Sequence, residues 1–189
     1  MARRYYELNI SGLVRHLPIM PISDELAIAG FVILGDCELV SAVAPDLAAK
    51  LPPCDLLMTA ETKGIPLVAE MARNLGHERY VVARKSVKLY MEDPISVEVV
   101  SITTAHPQTL YLDRKDVERI RGRRVAIVDD VISTGESLNA MVELVKLAGG
   151  EVACQAAILA EGDAIDRPDI IYLEPLPLIP LAPGEAALL

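Results

Sequence analysis

The sequence predicts an α/β fold in which helices flank a doubly wound, mainly parallel sheet. Two stretches carry this prediction, residues 55–76 and residues 125–150, because each opens with a short apolar run and continues with apolar residues at helical spacing. A short run without polar alternation is typical of a strand buried on both faces, as in parallel sheets. Strand and helix thus alternate through the centre of the chain.

Before this core, residues 1–54 predict three short strands and one helix. The helix is expected over residues 37–51, and Pro45 is expected to bend or split it, because a proline inside a helix removes a backbone hydrogen bond. The whole segment is expected to pack on the core or to cap it. The strands are predicted at three runs, YYELNI, VRHLPIM and LAIAGFVIL.

The first core unit predicts a strand at residues 55–60 and a helix that begins near Gly64 and ends by Gly76. A second strand follows at residues 79–83. Residues 95–104 and 108–113 then alternate β-branched with polar residues, which predicts a long hairpin that interrupts the α/β order.

The second core unit predicts a buried strand at residues 125–128 and a helix that Gly149 and Gly150 end. A further strand is expected at residues 151–160. The tail from Arg167 carries five prolines, which exclude a regular helix and predict an irregular cover over one end of the sheet.

Composition and charge narrow the possible functions. The formal net charge of -9 argues against general nucleic-acid binding, which depends on a basic surface that displaces counterions. The apolar blocks are short, and no uninterrupted stretch approaches the roughly 20 residues that a bilayer span requires. The 189 residues are expected to form one domain of a cytoplasmic protein without membrane contact.

The most informative segment is residues 125–137, which read VAIVDDVISTGES. Two carboxylates, Asp129 and Asp130, follow a strand, and hydroxyl residues and a glycine stand at the start of the next helix. The first N–H groups of a helix are unpaired and its dipole favours negative charge, so this loop can bind a phosphate monoester. Carboxylates repel phosphate but accept hydrogen bonds from sugar hydroxyls and can hold Mg²⁺. The pattern indicates a sugar phosphate.

The same residue types also have an ordinary structural explanation. Ser, Thr, Asp and Gly are common N-cap and turn residues in any connection from a strand to a helix. A Walker A loop is excluded because no Gly-Lys-Ser/Thr follows, and the G-x-G-x-x-G dinucleotide pattern is absent.

Residues 125–137 resemble the signature with which type I phosphoribosyltransferases bind phosphoribosyl pyrophosphate (PRPP). The shared pattern is four apolar residues, Asp-Asp, two variable residues and Ser-Thr-Gly-x-Ser. The resemblance implies that Asp129 and Asp130 are catalytic and contact the ribose hydroxyls, directly or through Mg²⁺. It implies that the 5′-phosphate is held by Ser133, Thr134, Gly135, Glu136 and Ser137. Glu136 departs from the glycine often found in adenine phosphoribosyltransferases, and this weakens the subfamily assignment more than the fold.

Two further segments resemble the family's pyrophosphate-binding segments. Residues 60–64 resemble the loop in which a strained, sometimes cis, non-proline peptide is implied, and residues 84–88 resemble a basic stretch of adenine and xanthine phosphoribosyltransferases. A helix-start turn and a solvated basic turn are the ordinary alternatives. Lys88 is also a candidate catalytic residue. The implied pyrophosphate contacts are Glu61, Thr62, Lys63, Gly64, Arg84, Lys85 and Lys88.

The hairpin is located where the family has a mobile catalytic loop, in which Tyr90, Ser101 or Thr103 could act. The resemblance implies a core over about residues 37–165 and a small cover over the base, the hood, made from the N-terminal strands and residues 166–189. Glu161 and Asp163 are weak candidates for contacts to the base. They stand where enzymes for 6-oxopurines have a lysine, so adenine is mildly favoured.

The resemblance therefore implies a homodimeric purine phosphoribosyltransferase that transfers phosphoribosyl from Mg²⁺-PRPP to a base, with adenine favoured, and releases pyrophosphate. The same residues also resemble the effector domain of the bacterial purine repressor, which binds PRPP without catalysis. That repressor has a winged-helix domain before the core, whereas the first 54 residues here are rich in predicted strands and lack a basic recognition helix. A PRPP-binding subunit of another complex is the third possibility, and it predicts loss of basic residues that are present here.

Overall fold

The computed structural model describes residues 4–99 and 108–188. Its centre is a five-stranded sheet, and each pair of neighbouring strands in it is parallel, as the sequence predicts. In spatial order the strands are β10 (Ile170–Leu176), β9 (Glu151–Glu161), β8 (Arg124–Ile132), β4 (Leu56–Ala60) and β5 (Val81–Ala83).

Four helices cover the two faces of this sheet within the described residues. Helices α1 (Cys37–Lys50) and α2 (Gly64–Asn74) contribute to one apolar cluster. Helices α3 (Arg114–Ile120) and α4 (Glu136–Leu147) contribute to the other. The prediction of a doubly wound α/β sheet is thereby confirmed. None of the helices in the described ranges is both long and apolar enough to cross a membrane.

A smaller antiparallel sheet adjoins the core. It contains β1 (Tyr5–Ile10), β2 (Leu13–Pro21), β3 (Leu26–Ala29) and a short C-terminal strand, β11 (Ile179–Pro180). Leu8, Ile10 and Leu17 of this sheet are buried in the same apolar cluster as α1 and α2. The predicted N-terminal strands are present, although the third ends at Ala29 rather than near residue 34.

The predicted hairpin is also present. Strands β6 (Ile95–Val99) and β7 (Gln108–Leu112) are antiparallel, with Ile95 opposite Leu112. Arg84 and Tyr111 exchange two backbone hydrogen bonds of 2.8 Å, which tie β7 to the end of β5. Residues 100–107, with the candidates Ser101 and Thr103, lie outside the described residues.

Two local expectations are wrong. The tail is not irregular throughout, because β10 is an edge strand of the core sheet, where Pro175 is tolerated without breaking a shared ladder. Pro45 does not split α1, which runs unbroken from Cys37 to Lys50. Helix α3 was not predicted.

Candidate functional site

The candidate site lies at the carboxyl ends of the parallel strands. The chain runs outward from β4 to β5 on one side and from β8 through β9 to β10 on the other, so the strand order reverses between β4 and β8. In open α/β sheets, ligands bind in the crevice at such a reversal. Here the loops that follow β4, β5 and β8 are brought to one edge, which places the three predicted phosphate-binding segments on neighbouring strands.

Two adjacent aspartates form the centre of this edge. Asp130 in β8 is only 3% exposed, and its backbone N–H donates a 2.9 Å hydrogen bond to Oδ1 of Asp129. The Lys63 ammonium forms an ion pair with Asp130 at 2.8 Å from Oδ2, but within the described residues this oxygen accepts no hydrogen bond. Buried carboxylate oxygen without a hydrogen bond is costly, so this arrangement is poised for an additional ligand.

The protonation of Asp129 reflects this crowding. Desolvation, followed by repulsion from the Asp130 carboxylate, raises the pKa of Asp129 well above its usual range. The Lys63 ammonium opposes this shift. One cation thus serves two carboxylates, and a second cation or a hydrogen-bond donor would stabilise the ionised pair.

The loop after β8 forms a small cavity of about 100 Å³ at the start of α4. Gly135 has φ +78° and immediately precedes the helix, a conformation that glycine adopts without steric cost. The cavity is lined by backbone and side chains of Asp129, Val131, Ile132, Ser133, Thr134, Gly135, Glu136, Ser137 and Leu138. The structure thereby brings together every residue that the sequence assigned to the 5′-phosphate.

The loop after β4 carries the cis peptide that the resemblance implies, between Glu61 and Thr62. Gly64 begins α2 against β4 and β8. A Cβ atom there would collide with the Thr59 hydroxyl and lie 3.3 Å from Asp129 Oδ1. Glycine is therefore required for α2 to start this close to the aspartates.

Glu61 connects the loops after β4 and β5. Its Oε1 lies 3.1 Å from Arg84 Nε, and its Oε2 accepts a 2.8 Å hydrogen bond from the backbone N–H of Lys85. The Lys85 side chain remains exposed. Glu61 thus holds two predicted pyrophosphate-binding segments beside each other.

The remaining candidates are less closely integrated. Lys88 Nζ donates to Ser86 Oγ at 2.7 Å, and within the described residues it forms no hydrogen bond or ion pair with Asp129 or Asp130. Tyr90 is 64% exposed. Glu161 lies at the same edge because it is the last residue of β9. Burial raises its pKa, and the Lys63 charge opposes this rise. Asp163 is exposed and makes no hydrogen bond or ion pair within residues 4–99 and 108–188.

Two further residues belong to this edge and were not predicted. Thr59 is fully buried beneath the start of α2. The guanidinium of Arg167 lies against Gly135. Neither residue has a local sequence signal, because only the fold brings Arg167 to the loop after β8.

Comparison with known proteins agrees with this geometry. Residues 49–176 match the model of the phosphoribosyl transferase domain. The chain belongs to this family. Among curated relatives, adenine phosphoribosyltransferase of Thermotoga petrophila is 35% identical over 121 residues, which cover 64% of this chain and 62% of that protein.

A second relative has a regulatory name. The probable purine biosynthesis transcriptional regulator PurR of Streptococcus pneumoniae is 27% identical over 152 residues, which cover 77% of this chain and 54% of that protein. The chain thus spans only 54% to 62% of the length of these two relatives.

The fold matches solved structures of the same family. The crystal structure of adenine phosphoribosyltransferase from Thermoanaerobacter pseudethanolicus superposes with a TM-score of 0.61 at 27% identity, over 76% of this chain and 84% of that one. The predicted type I phosphoribosyltransferase fold is confirmed.

Proposed function

We propose that this protein transfers the phosphoribosyl group of PRPP to a purine base, adenine in preference to 6-oxopurines, and releases pyrophosphate. One observation carries the proposal. The Asp129–Asp130 pair lies between a phosphate-sized cavity at the start of α4 and the cationic side chain of Lys63 at the start of α2. PRPP requires this order of groups, with a ribose diol between a 5′-phosphate and a pyrophosphate.

Each part of the substrate has a counterpart in the site. Residues 133–137 would hold the 5′-phosphate through backbone N–H groups and hydroxyls. Asp129 and Asp130 would accept hydrogen bonds from the ribose hydroxyls. The negative charge that develops on departing pyrophosphate would be stabilised by backbone N–H groups of the loop after β4 and by the cationic side chains of Lys63, Arg84 and Lys85.

The reaction needs little covalent participation by the protein. A ring nitrogen of the base attacks C1 of the ribose, the C1–O bond to pyrophosphate breaks, and pyrophosphate leaves with the bonding electron pair. The N–H proton of the base passes to the departing pyrophosphate or to solvent. Alignment of the two substrates and stabilisation of charge supply the catalysis. The β6–β7 hairpin would close over the substrates and exclude water, and the small sheet with the tail would form the hood over the base.

Magnesium fits this site as a companion of the substrate. No cluster of three or more metal-binding side chains occurs among the described residues. Mg²⁺ typically binds through one or two carboxylates together with substrate phosphates and water. Asp129 and Asp130 would supply the carboxylates. In the part of the chain that the structure describes, Asp130 Oδ2 forms an ion pair with Lys63 but accepts no hydrogen bond. When bound, Mg²⁺ would neutralise charge on the pyrophosphate.

Glu161 supports the preference for adenine. It is the last residue of β9, at the same edge, and it is partly buried. A carboxylate can accept a hydrogen bond from an exocyclic amine. The proposed homodimer and the cytoplasmic location rest on the family resemblance and stay predictions.

A second function is favoured by a specific comparison. The match to the PurR regulator covers more of this chain than the match to the Thermotoga enzyme, 77% against 64%. A regulator would use the same site to bind PRPP as a signal and would transfer nothing.

Pyrophosphate release distinguishes the two functions. Mg²⁺-PRPP is offered with adenine, guanine, hypoxanthine or xanthine in separate reactions, and binding of PRPP alone is titrated in parallel. We expect release with adenine. Release only with an oxopurine would overturn the adenine preference, and PRPP binding without release with any base would overturn the enzyme in favour of the regulator.

A further inference from the structure

Arg167 contacts the loop after β8 from a distant part of the sequence. It follows the short 3₁₀ turn Gly162–Asp166 beyond β9. Its Nη1 atom would lie 2.5 Å from a Cβ atom built on Gly135. The guanidinium therefore occupies the space that any side chain at Gly135 would need.

Asp169 fixes the orientation of this guanidinium. Nε donates to Oδ1 of Asp169 at 3.0 Å, and Nη2 donates to Oδ2 at 2.7 Å. Gln155 donates a further hydrogen bond of 3.1 Å to the same carboxylate. This fork uses one edge of the guanidinium and leaves both N–H groups of Nη1 available. Within the described residues Nη1 donates no hydrogen bond, and it is the atom nearest to Gly135.

Within the described residues, no lysine or arginine lines the cavity beside Gly135, whereas two acidic residues, Asp129 and Glu136, do. A phosphate monoester carries close to two negative charges at neutral pH. Backbone N–H groups and hydroxyls would have to bind this charge beside two carboxylates, and a guanidinium nearby would offset the repulsion.

From these contacts we infer that Arg167 donates hydrogen bonds from Nη1 to the phosphate monoester bound by residues 133–137, and that Asp169 positions the guanidinium. The inference rests on the proposed function and adds a binding residue to it. The segment after β9 thereby contributes to recognition of the sugar phosphate and not only to the cover over the base.

Substitution of Arg167 tests this role. Ribose 5-phosphate and pyrophosphate are titrated separately, by calorimetry, into the wild-type protein and into Arg167→Met, which keeps much of the apolar stem. The variant loses a hydrogen bond to a charged group that is partly exposed to solvent. This loss is expected to weaken ribose 5-phosphate binding about tenfold. Pyrophosphate binding is expected to remain unchanged.

Two further variants separate charge from structure. Arg167→Lys keeps the charge without the fork and is expected to lose about threefold in ribose 5-phosphate affinity. Arg73→Ala is the matched control, because Arg73 also pairs with an acidic neighbour, Glu70, but lies on the exposed surface of α2. Its affinities for both ligands are expected to equal those of the wild type.

The outcomes are distinct. Unchanged ribose 5-phosphate affinity in Arg167→Met would overturn the inference while leaving the proposed function intact. Equal losses for both ligands would also overturn it, because they indicate a structural role. Absence of binding of either ligand, and of PRPP, to the wild-type protein would overturn the proposed function and this inference together.

Discussion

The carboxylates at the two ends of the parallel sheet differ in how completely they are paired with cationic groups. At the amino end, Asp55 accepts two hydrogen bonds from the Arg124 guanidinium, at 2.9 and 3.2 Å, and one from its backbone N–H. At the carboxyl end, Asp129 and Asp130 are neighbours that share one ammonium group. The first carboxylate is fully paired, whereas the other two are not.

The pKa values follow this difference. Hydrogen bonds from Arg124 lower the pKa of Asp55 to about 2, whereas desolvation and Asp130 raise the pKa of Asp129. Asp55 lies directly before β4 and Asp129 lies in β8, so both are attached to the same sheet and strand structure alone does not explain the contrast. Incomplete pairing at the carboxyl end is the electrostatic condition expected of a binding site.

Among substitutions that test this difference between the two ends of the sheet, Asp130→Asn is expected to have the largest effect. It would weaken the proposed contacts to ribose and Mg²⁺, so the turnover of the proposed reaction is expected to fall about 100-fold, the equivalent of one strong charge-assisted hydrogen bond. Steady-state pyrophosphate release measures it. The matched control is Asp55→Asn at the amino end, for which turnover should be unchanged. Wild-type turnover in Asp130→Asn would remove this residue from the mechanism.

The glycines at the two ends of α4 allow a test of the loop after β8 as the phosphate site. Gly135 and Gly149 have nearly the same φ, +78° and +79°, but only Gly135 faces the cavity and Arg167. Alanine at either position should cost about 1–2 kcal/mol of stability because of the left-handed backbone. Only Gly135→Ala should also weaken PRPP binding, by about tenfold. Equal PRPP affinity in the two variants, measured by titration, would count against the loop as the phosphate site.

Lys85→Ala should have a smaller and more selective effect. The side chain is exposed, and its backbone contact to Glu61 does not depend on the side chain. Pyrophosphate affinity should fall about threefold, because exposed ion pairs are weak, and ribose 5-phosphate affinity should not change. Lys146→Ala, on the exposed side of α4, is the control. A greater loss for ribose 5-phosphate than for pyrophosphate would reverse the assignment.

The smallest effect concerns the dependence of stability on pH. The folded pKa of Asp129 is raised, so its contribution favours folding below the unfolded pKa of about 4 and is lost as the pH rises through the folded pKa. Asp129→Asn should therefore be more stable than the wild type at pH 8, by on the order of 1 kcal/mol. Urea unfolding at pH 5 and pH 8 measures the difference. A variant less stable than the wild type at pH 8 would contradict the charge crowding.

The pKa of Asp55 is shifted in the opposite direction, so its effect on the pH dependence of stability is also opposite. Its folded pKa is lowered to about 2, so its stabilisation is present above the unfolded pKa and is lost as the pH falls toward 2. Asp55→Asn should therefore be less stable than the wild type above pH 4, and the difference should disappear as the pH falls toward 2. A loss of stability of the same size at pH 2 and at pH 7 would show that ionisation of Asp55 beside Arg124 is not the cause.

Local patterns predicted much of the core and the centre of the site. The buried strands were recognisable because both faces of a parallel strand are apolar, and the loop after β8 because its residues are contiguous. The cis peptide after Glu61 was implied by family resemblance and not by local chemistry.

Contacts between segments that are distant in the sequence could not be predicted. The prolines of the tail obscured β10, since a single sequence does not reveal that the strand lies at an edge, where its missing N–H groups have little cost. The contact of Arg167 with Gly135 depends on the position of the turn after β9 relative to α4. No periodicity or motif encodes this position.

Calorimetric titration of the wild-type protein and of the double variant Asp129→Asn/Asp130→Asn with Mg²⁺-PRPP tests the central claim most directly. Both the enzyme and the regulator require PRPP to bind at the carboxyl end of the sheet. We expect the wild type to bind one PRPP per chain and the double variant to bind it at least tenfold more weakly, on the scale of lost charge-assisted contacts. No binding by the wild type, or equal binding by both proteins, would contradict the account.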